Sequence, residues 1–209
     1  MTLFAYGERG GSTSMAQFWY AFIPLCVAFD GVGLLPLFWG LSQRLNPAQR
    51  RRAVTEAVLT ALLVALGFLL VSPVVFVLMG LELADLMVAG GAILFVLSLR
   101  DLLFPDKPPR GRYPSPGVVP LGVPLLAGPA VLTAMLLVRQ RYGWPVTLAA
   151  LAANMVLIWA ILRSAEWLMQ RLGTDGAQVI SKISSLILTA FGVMLIRQGL
   201  TAFLQPAAP

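Results

Sequence analysis

The sequence predicts an all-α integral membrane protein: six transmembrane helices as two inverted three-helix repeats, with spans 1 and 4 broken near the midplane. Three observations predict it. Of 209 residues, 58% are hydrophobic and 11% are charged, with a mean hydropathy of +0.84, whereas soluble domains carry about a quarter charged residues. Six apolar segments are each long enough to cross a bilayer, which takes about 20 residues. The second half of the chain also echoes the first at an offset near half its length, and an odd number of spans per repeat inverts the copy.

The elements follow in order. Residues 1–14 are a polar N-terminal segment, too polar for the apolar core of a signal peptide, and Met15 is an alternative start. The first three-span repeat occupies 15–104, with apolar segments over 15–41, 53–81 and 86–104. Asn46 is a fitting N-cap for the second, with Pro47 at its first helical position. Residues 105–117 form a Pro- and Gly-rich cytoplasmic loop that will not be helical. The second repeat occupies 118–204, with segments over 118–138, 145–169 and 179–203 and the connection RLGTDG before the last. Residues 205–209 are a short tail.

The repeat rests on two alignments. PLCVAFDGVG, from Pro24, sets over PLGVPLLAGP, from Pro120, and GGAIL, from Gly90, over SSLIL, from Ser184. Both stretches of the first pair end in helix breakers. Orientation follows from the bases: eleven of the fifteen Lys and Arg lie in the connections after segments one, three and five. That bias puts those connections in the cytoplasm and both termini outside, in a multi-pass protein of the cell membrane. The same distribution explains a net charge of +6 without nucleic acid as a partner.

Several chemistries are excluded. A single cysteine, Cys26, allows no intrachain disulfide. There is no histidine, hence no Ser-His-Asp or Cys-His catalysis and no His-ligated metal. No P-loop, HExxH, CxxC or GxSxG is present, and intramembrane aspartyl proteolysis would need a second deep Asp. The sequence therefore predicts no enzyme, cofactor or bound metal beyond a coupling proton or sodium ion.

Two places can carry function. Asp30, Gly31, Gly33 and Pro36 interrupt the first apolar segment. An ionised carboxylate at that depth costs about 2.5–3.5 kcal/mol on insertion scales, so Asp30 faces the bundle interior or is protonated at rest. Alternatively it only caps a half-helix begun by the glycines. Pro124, Gly128 and Pro129 interrupt the fourth segment at the matching place. Two half-helices starting at the breaks would aim their positive ends at the midplane from opposite sides. Converging N-termini suit a carboxylate, and Asp30 beside them suits an ammonium group or a proton, which together describe a small zwitterion. The competing reading is a pair of ordinary proline kinks.

Ala130, Thr133 and Asn154 complete the candidate binding set, though Asn154 serves equally well as a bridge between helices. Gly90, Gly91, Ser184 and Ser185 fit close helix packing better than ligand contact. Glu56, Glu166 and Arg100 fall at cytoplasmic span ends and read as interfacial.

These breaks and their order resemble the MarC family of six-span bacterial inner-membrane proteins, over residues 22–203. The family's D-P-x-G-x-x-P element looks like Asp30-Gly31-Val32-Gly33-Leu34-Leu35-Pro36. Its A-G-G-x-L-L third span looks like Ala89-Gly90-Gly91-Ala92-Ile93-Leu94, and its P-L-x-x-P-L-L-A-G-P-G signature looks like the stretch from Pro120 to Ala130. Gly31 stands where the family usually has Pro, Ala130 where it usually has Gly, and Ser185 where the sixth span usually has Gly. The resemblance implies a transporter of small neutral amino acids. Related lysine-exporter-type proteins leave the direction open. A non-transporting membrane scaffold or assembly protein, and an ion transporter or exporter, are the alternatives.

Overall fold

In the computed structural model the described residues are 14–42, 45–103, 122 and 126–204. Among them there is no strand. Six helices follow in order: α1 (Ser14–Phe29), α2 (Leu35–Ser42), α3 (Pro47–Met79), α4 (Leu83–Leu103), α5 (Pro129–Arg163) and α6 (Ala165–Leu204).

Local chemistry accounts for most boundaries. At the start of α3, the Gln49 amide donates to the Asn46 side chain at 2.8 Å while the Asn46 amide donates to the Gln49 side chain at 3.0 Å. This reciprocal capping box, with Pro47 at the first position, begins the helix as the sequence predicts. α3 stops at Gly80, whose φ of 66° only glycine adopts freely. α4 follows at once, its first turn tied by the Glu82 amide donating to Asp85 at 2.8 Å.

Four stretches are long and apolar enough to cross a membrane: Pro47–Met79, Leu83–Arg100, Pro129–Arg163 and Gln178–Leu204. α1 is apolar but shorter. The six predicted segments do not map one to one onto these stretches. The first is split into α1 and α2. The fourth and fifth lie in α5 as two helical parts that meet at Gly143, whose backbone is not helical (φ 74°, ψ −179°). Three further expectations are corrected. The fifth segment ends at Arg163, not 169, with Ser164 as its C-cap. RLGTDG is helical on both sides of Gly173 (φ 67°) rather than a loop. Pro36 lies inside the first turn of α2, where a missing amide breaks no bond, so the interruption is made by Asp30–Gly33 alone. The 105–117 loop, the 1–13 segment, the tail and Pro124 lie outside the described residues.

α4 packs most extensively on α6, α1 and α3 pack on α5, and α2 packs on α6. The buried face of α3 carries Ala53, Ala57, Ala61 and Ala65, one small residue per turn, followed by Leu69; the alanines let a neighbour come close. The α4–α6 contact is closer still. A Cβ added at Gly91 would lie 2.7 Å from the Gly192 carbonyl, one at Gly192 2.8 Å from the Gly91 carbonyl, and one at Gly199 2.8 Å from the Ala84 carbonyl. Residue numbers fall along α6 as they rise along α4, so these helices run antiparallel.

Candidate functional site

The first interruption is built around Asp30. This residue ends α1 by taking φ 44°, a left-handed conformation that Asp tolerates better than most residues. Its amide still donates back to Cys26 at 3.2 Å, and its carbonyl accepts from Leu34 at 3.1 Å. Its side chain Oδ1 accepts from the Gly33 amide at 3.0 Å. One residue therefore closes one helix and caps the turn that leads into the next.

The glycines beside it have separate reasons. A side chain at Gly33 would collide with the Asp30 carboxylate itself. Gly31 is buried, and a Cβ there would meet Ile158 Cγ1 at 3.3 Å and Ile161 Cδ1 at 3.6 Å. The interruption is thus seated on the second part of α5. Asn154, one turn before Ile158, is fully buried and joins the same pair of helices. Its Nδ2 donates to Ala150 O at 2.9 Å and to Phe22 O at 3.2 Å, while its Oδ1 is buried with no hydrogen-bond partner among the described residues. Positions rise together along α1 and along this part of α5, so the two run parallel.

The second interruption precedes α5. Gly128 is its N-cap, in extended conformation with no side-chain capping bond, and Pro129 occupies the first helical position. The Leu132 amide closes the first turn onto Gly128 O at 3.2 Å. The amides of Ala130 and Val131 have no acceptor within the helix, and both residues are buried. Because Gly128 has no side chain to cap them, these donors and the partial positive charge of the helix start are left to other groups.

Thr133, one turn on and fully buried, donates its hydroxyl to Pro129 O at 2.8 Å and lies 3.4 Å from Leu86 O on α4. Gly90 of α4 sits against it: a Cβ there would run into Thr133 Oγ1 and lie 3.5 Å from Pro129 O. The Gly90-Gly91 pair, expected to act as one small-residue patch, therefore divides its work. Gly90 admits the start of α5, and Gly91 admits α6.

Ser185 is buried but donates to its own helix at Ser181 O, 3.0 Å away. Ser184 is half-buried. The close α4–α6 seam is made by Gly192 and Gly199, which sequence reasoning missed. Their seven-residue spacing, matched by Ala84 and Gly91 on α4, was the available signal. Arg139 was missed as well. Expected only as a loop base, its Nη1 donates to Leu69 O at 2.9 Å, and its guanidinium lies 4.3 Å from the Trp144 ring centre. Pro73 explains the contact, because it has no amide to offer Leu69 O, four residues earlier. Among the described residues there is no group of three or more His, Cys, Asp or Glu placed to hold a metal ion.

The sequence has relatives among known proteins. The profile described as "MarC family integral membrane protein" matches residues 15–204. The chain is 27% identical over 195 residues to the UPF0056 inner membrane protein YhgN of Escherichia coli, covering 88% of this chain and 96% of that one. A UPF0056 membrane protein of Pyrococcus abyssi is 27% identical over 191 residues, covering 86% and 92%. One of Methanocaldococcus jannaschii is 28% identical over 195 residues, covering 87% and 85%. No solved structure gives a significant match.

Proposed function

This chain belongs to the MarC family of integral membrane proteins, and on that footing we propose that it is a secondary transporter of small neutral amino acids. Glycine, alanine, serine and threonine are the substrate type, moved across a bacterial inner membrane with a coupling proton or sodium ion. The observation that carries the proposal is the buried start of α5, whose N-cap Gly128 supplies no capping side chain. The amides of Ala130 and Val131 suit a substrate carboxylate. The Gly33 amide, already bonded to Asp30, leaves the anionic end of the substrate to α5. Asp30 takes the ammonium group or the coupling proton. Thr133 and Asn154 Oδ1 supply the remaining polar contacts.

The architecture proposed with this function is six spans in two inverted repeats, with both termini outside. The packing supports it. Let α1–α2, α3 and α4 be one set, and the two parts of α5 and α6 the other. Exchanging the sets turns the contact of α1 with the second part of α5 into that of α3 with the first part, seen at Leu69 and Arg139. It turns the contact of α4 with the start of α5 into that of α6 with α2, and maps α4–α6 onto itself. Alternating access would then be one set rocking on the other. The test is Asp30→Asn in proteoliposomes: loss of alanine and glycine uptake by a folded protein is expected, and wild-type uptake would remove Asp30 from the site.

A further inference from the structure

Away from both interruptions, the N-terminal turn of α3 meets the end of α5 and the start of α6 around a cavity of about 130 Å³. Arg50, Arg51 and Arg163 line it with a single acid, Glu166, over a floor that includes the buried Val54 and Leu162. Arg50 is held in place. Its Nη1 donates to Glu166 Oε2 at 2.7 Å, and its guanidinium lies 5.3 Å from the Trp39 ring centre. Its Nε is buried with no acceptor among the described residues. Among the described residues neither Arg51 nor Arg163 forms an ion pair. The positive end of the α3 dipole adds to them. Exposed Trp167, with the Arg171 guanidinium 5.3 Å from its ring centre, flanks the same corner. Tryptophan and arginine together mark the head-group level of a bilayer.

We propose that this cavity is a binding site for a phosphate oxyanion, which Arg50, Arg51 and Arg163 hold at the membrane interface. Guanidinium forks match phosphate oxygens in pairs, and a cavity of this volume has room for a phosphate group. The occupant is either the phosphate of an anionic lipid or free inorganic phosphate.

Two arms distinguish them, both on the full chain in nanodiscs. In the first, native mass spectrometry compares retention of phosphatidylglycerol with that of phosphatidylcholine. In the second, inorganic phosphate is titrated against thermal unfolding in phosphatidylcholine nanodiscs. Arg51→Gln and Arg163→Gln, both at exposed side chains, should each weaken the binding seen by about tenfold, the effect of one lost charge-assisted hydrogen bond. Arg52→Gln removes an arginine that is paired with Glu56 at 2.7 Å and lies outside the cavity. It should change binding by less than about threefold, as for a screened surface charge. Selective retention of phosphatidylglycerol with this variant pattern assigns the lipid; a phosphate-dependent shift alone with the same pattern assigns the free ion. No preference in either arm, or an equal loss in Arg52→Gln, overturns the site.

Discussion

Replacing Asp30 separates its structural role from its charge. In the structure the side chain accepts a bond from the Gly33 amide, at 3.0 Å, and the backbone takes φ 44°. Asp30→Ala removes the capping bond, worth about 1 kcal/mol. It also puts a residue with no local acceptor into a left-handed conformation, which costs about 1–2 kcal/mol. A loss of about 2–3 kcal/mol follows. Asp30→Asn keeps an oxygen at the capping position and tolerates the same backbone, so its loss should stay below about 1 kcal/mol, the difference between a charged and a neutral acceptor. Equilibrium unfolding in mixed micelles measures both. An Ala variant as stable as wild type would show that this bond does not hold the interruption. An Asn variant as unstable as Ala would show that charge, not capping, is what the fold requires.

Other positions make equally specific demands. Gly90→Ala should cost about 1–2 kcal/mol, overpacking against Thr133 being partly offset by helix propensity; Thr133→Ala, which removes the colliding oxygen, should make the pair less destabilising than the two single changes added, as read in a double-mutant cycle. Arg139→Gln should lose about 1.5–3 kcal/mol of stability, because Leu69 O loses its charged donor. Adding Pro73→Ala, which restores an amide four residues on, should return part of that loss in the same melt. Gly91→Ala should cost about 1–3 kcal/mol, since the atoms in its way are backbone of α6. Gly67→Ala, with nothing within 4 Å, should be neutral or stabilising by up to about 1 kcal/mol in a parallel thermal scan.

The sequence made the membrane class, the start of α3 and the place of both interruptions legible, because each rests on local chemistry. Asn46-Pro47 caps wherever it sits, and Asp30-Gly31-Val32-Gly33 and Gly128-Pro129 interrupt a helix whatever surrounds them. What stayed hidden depends on partners. Gly90 and Gly91 look alike in the chain and differ only in which neighbour each meets. Arg139 finds its role at Leu69 O, which Pro73, 66 residues before Arg139 in the chain, leaves without its helical amide donor. RLGTDG carries turn residues, and the structure concentrates the break at one of them, Gly173, where two helical parts meet. The tie between Asn154 and Phe22 needed the parallel packing of α1 on α5 before either residue pointed to it.

Uptake of labelled alanine or glycine by the purified wild-type protein, in proteoliposomes energised by a proton or sodium gradient, tests the account most directly. It predicts gradient-dependent accumulation above protein-free liposomes, competed by unlabelled serine or threonine. Uptake no greater than that of the empty liposomes, by protein shown to be folded and inserted and under either gradient, would contradict it.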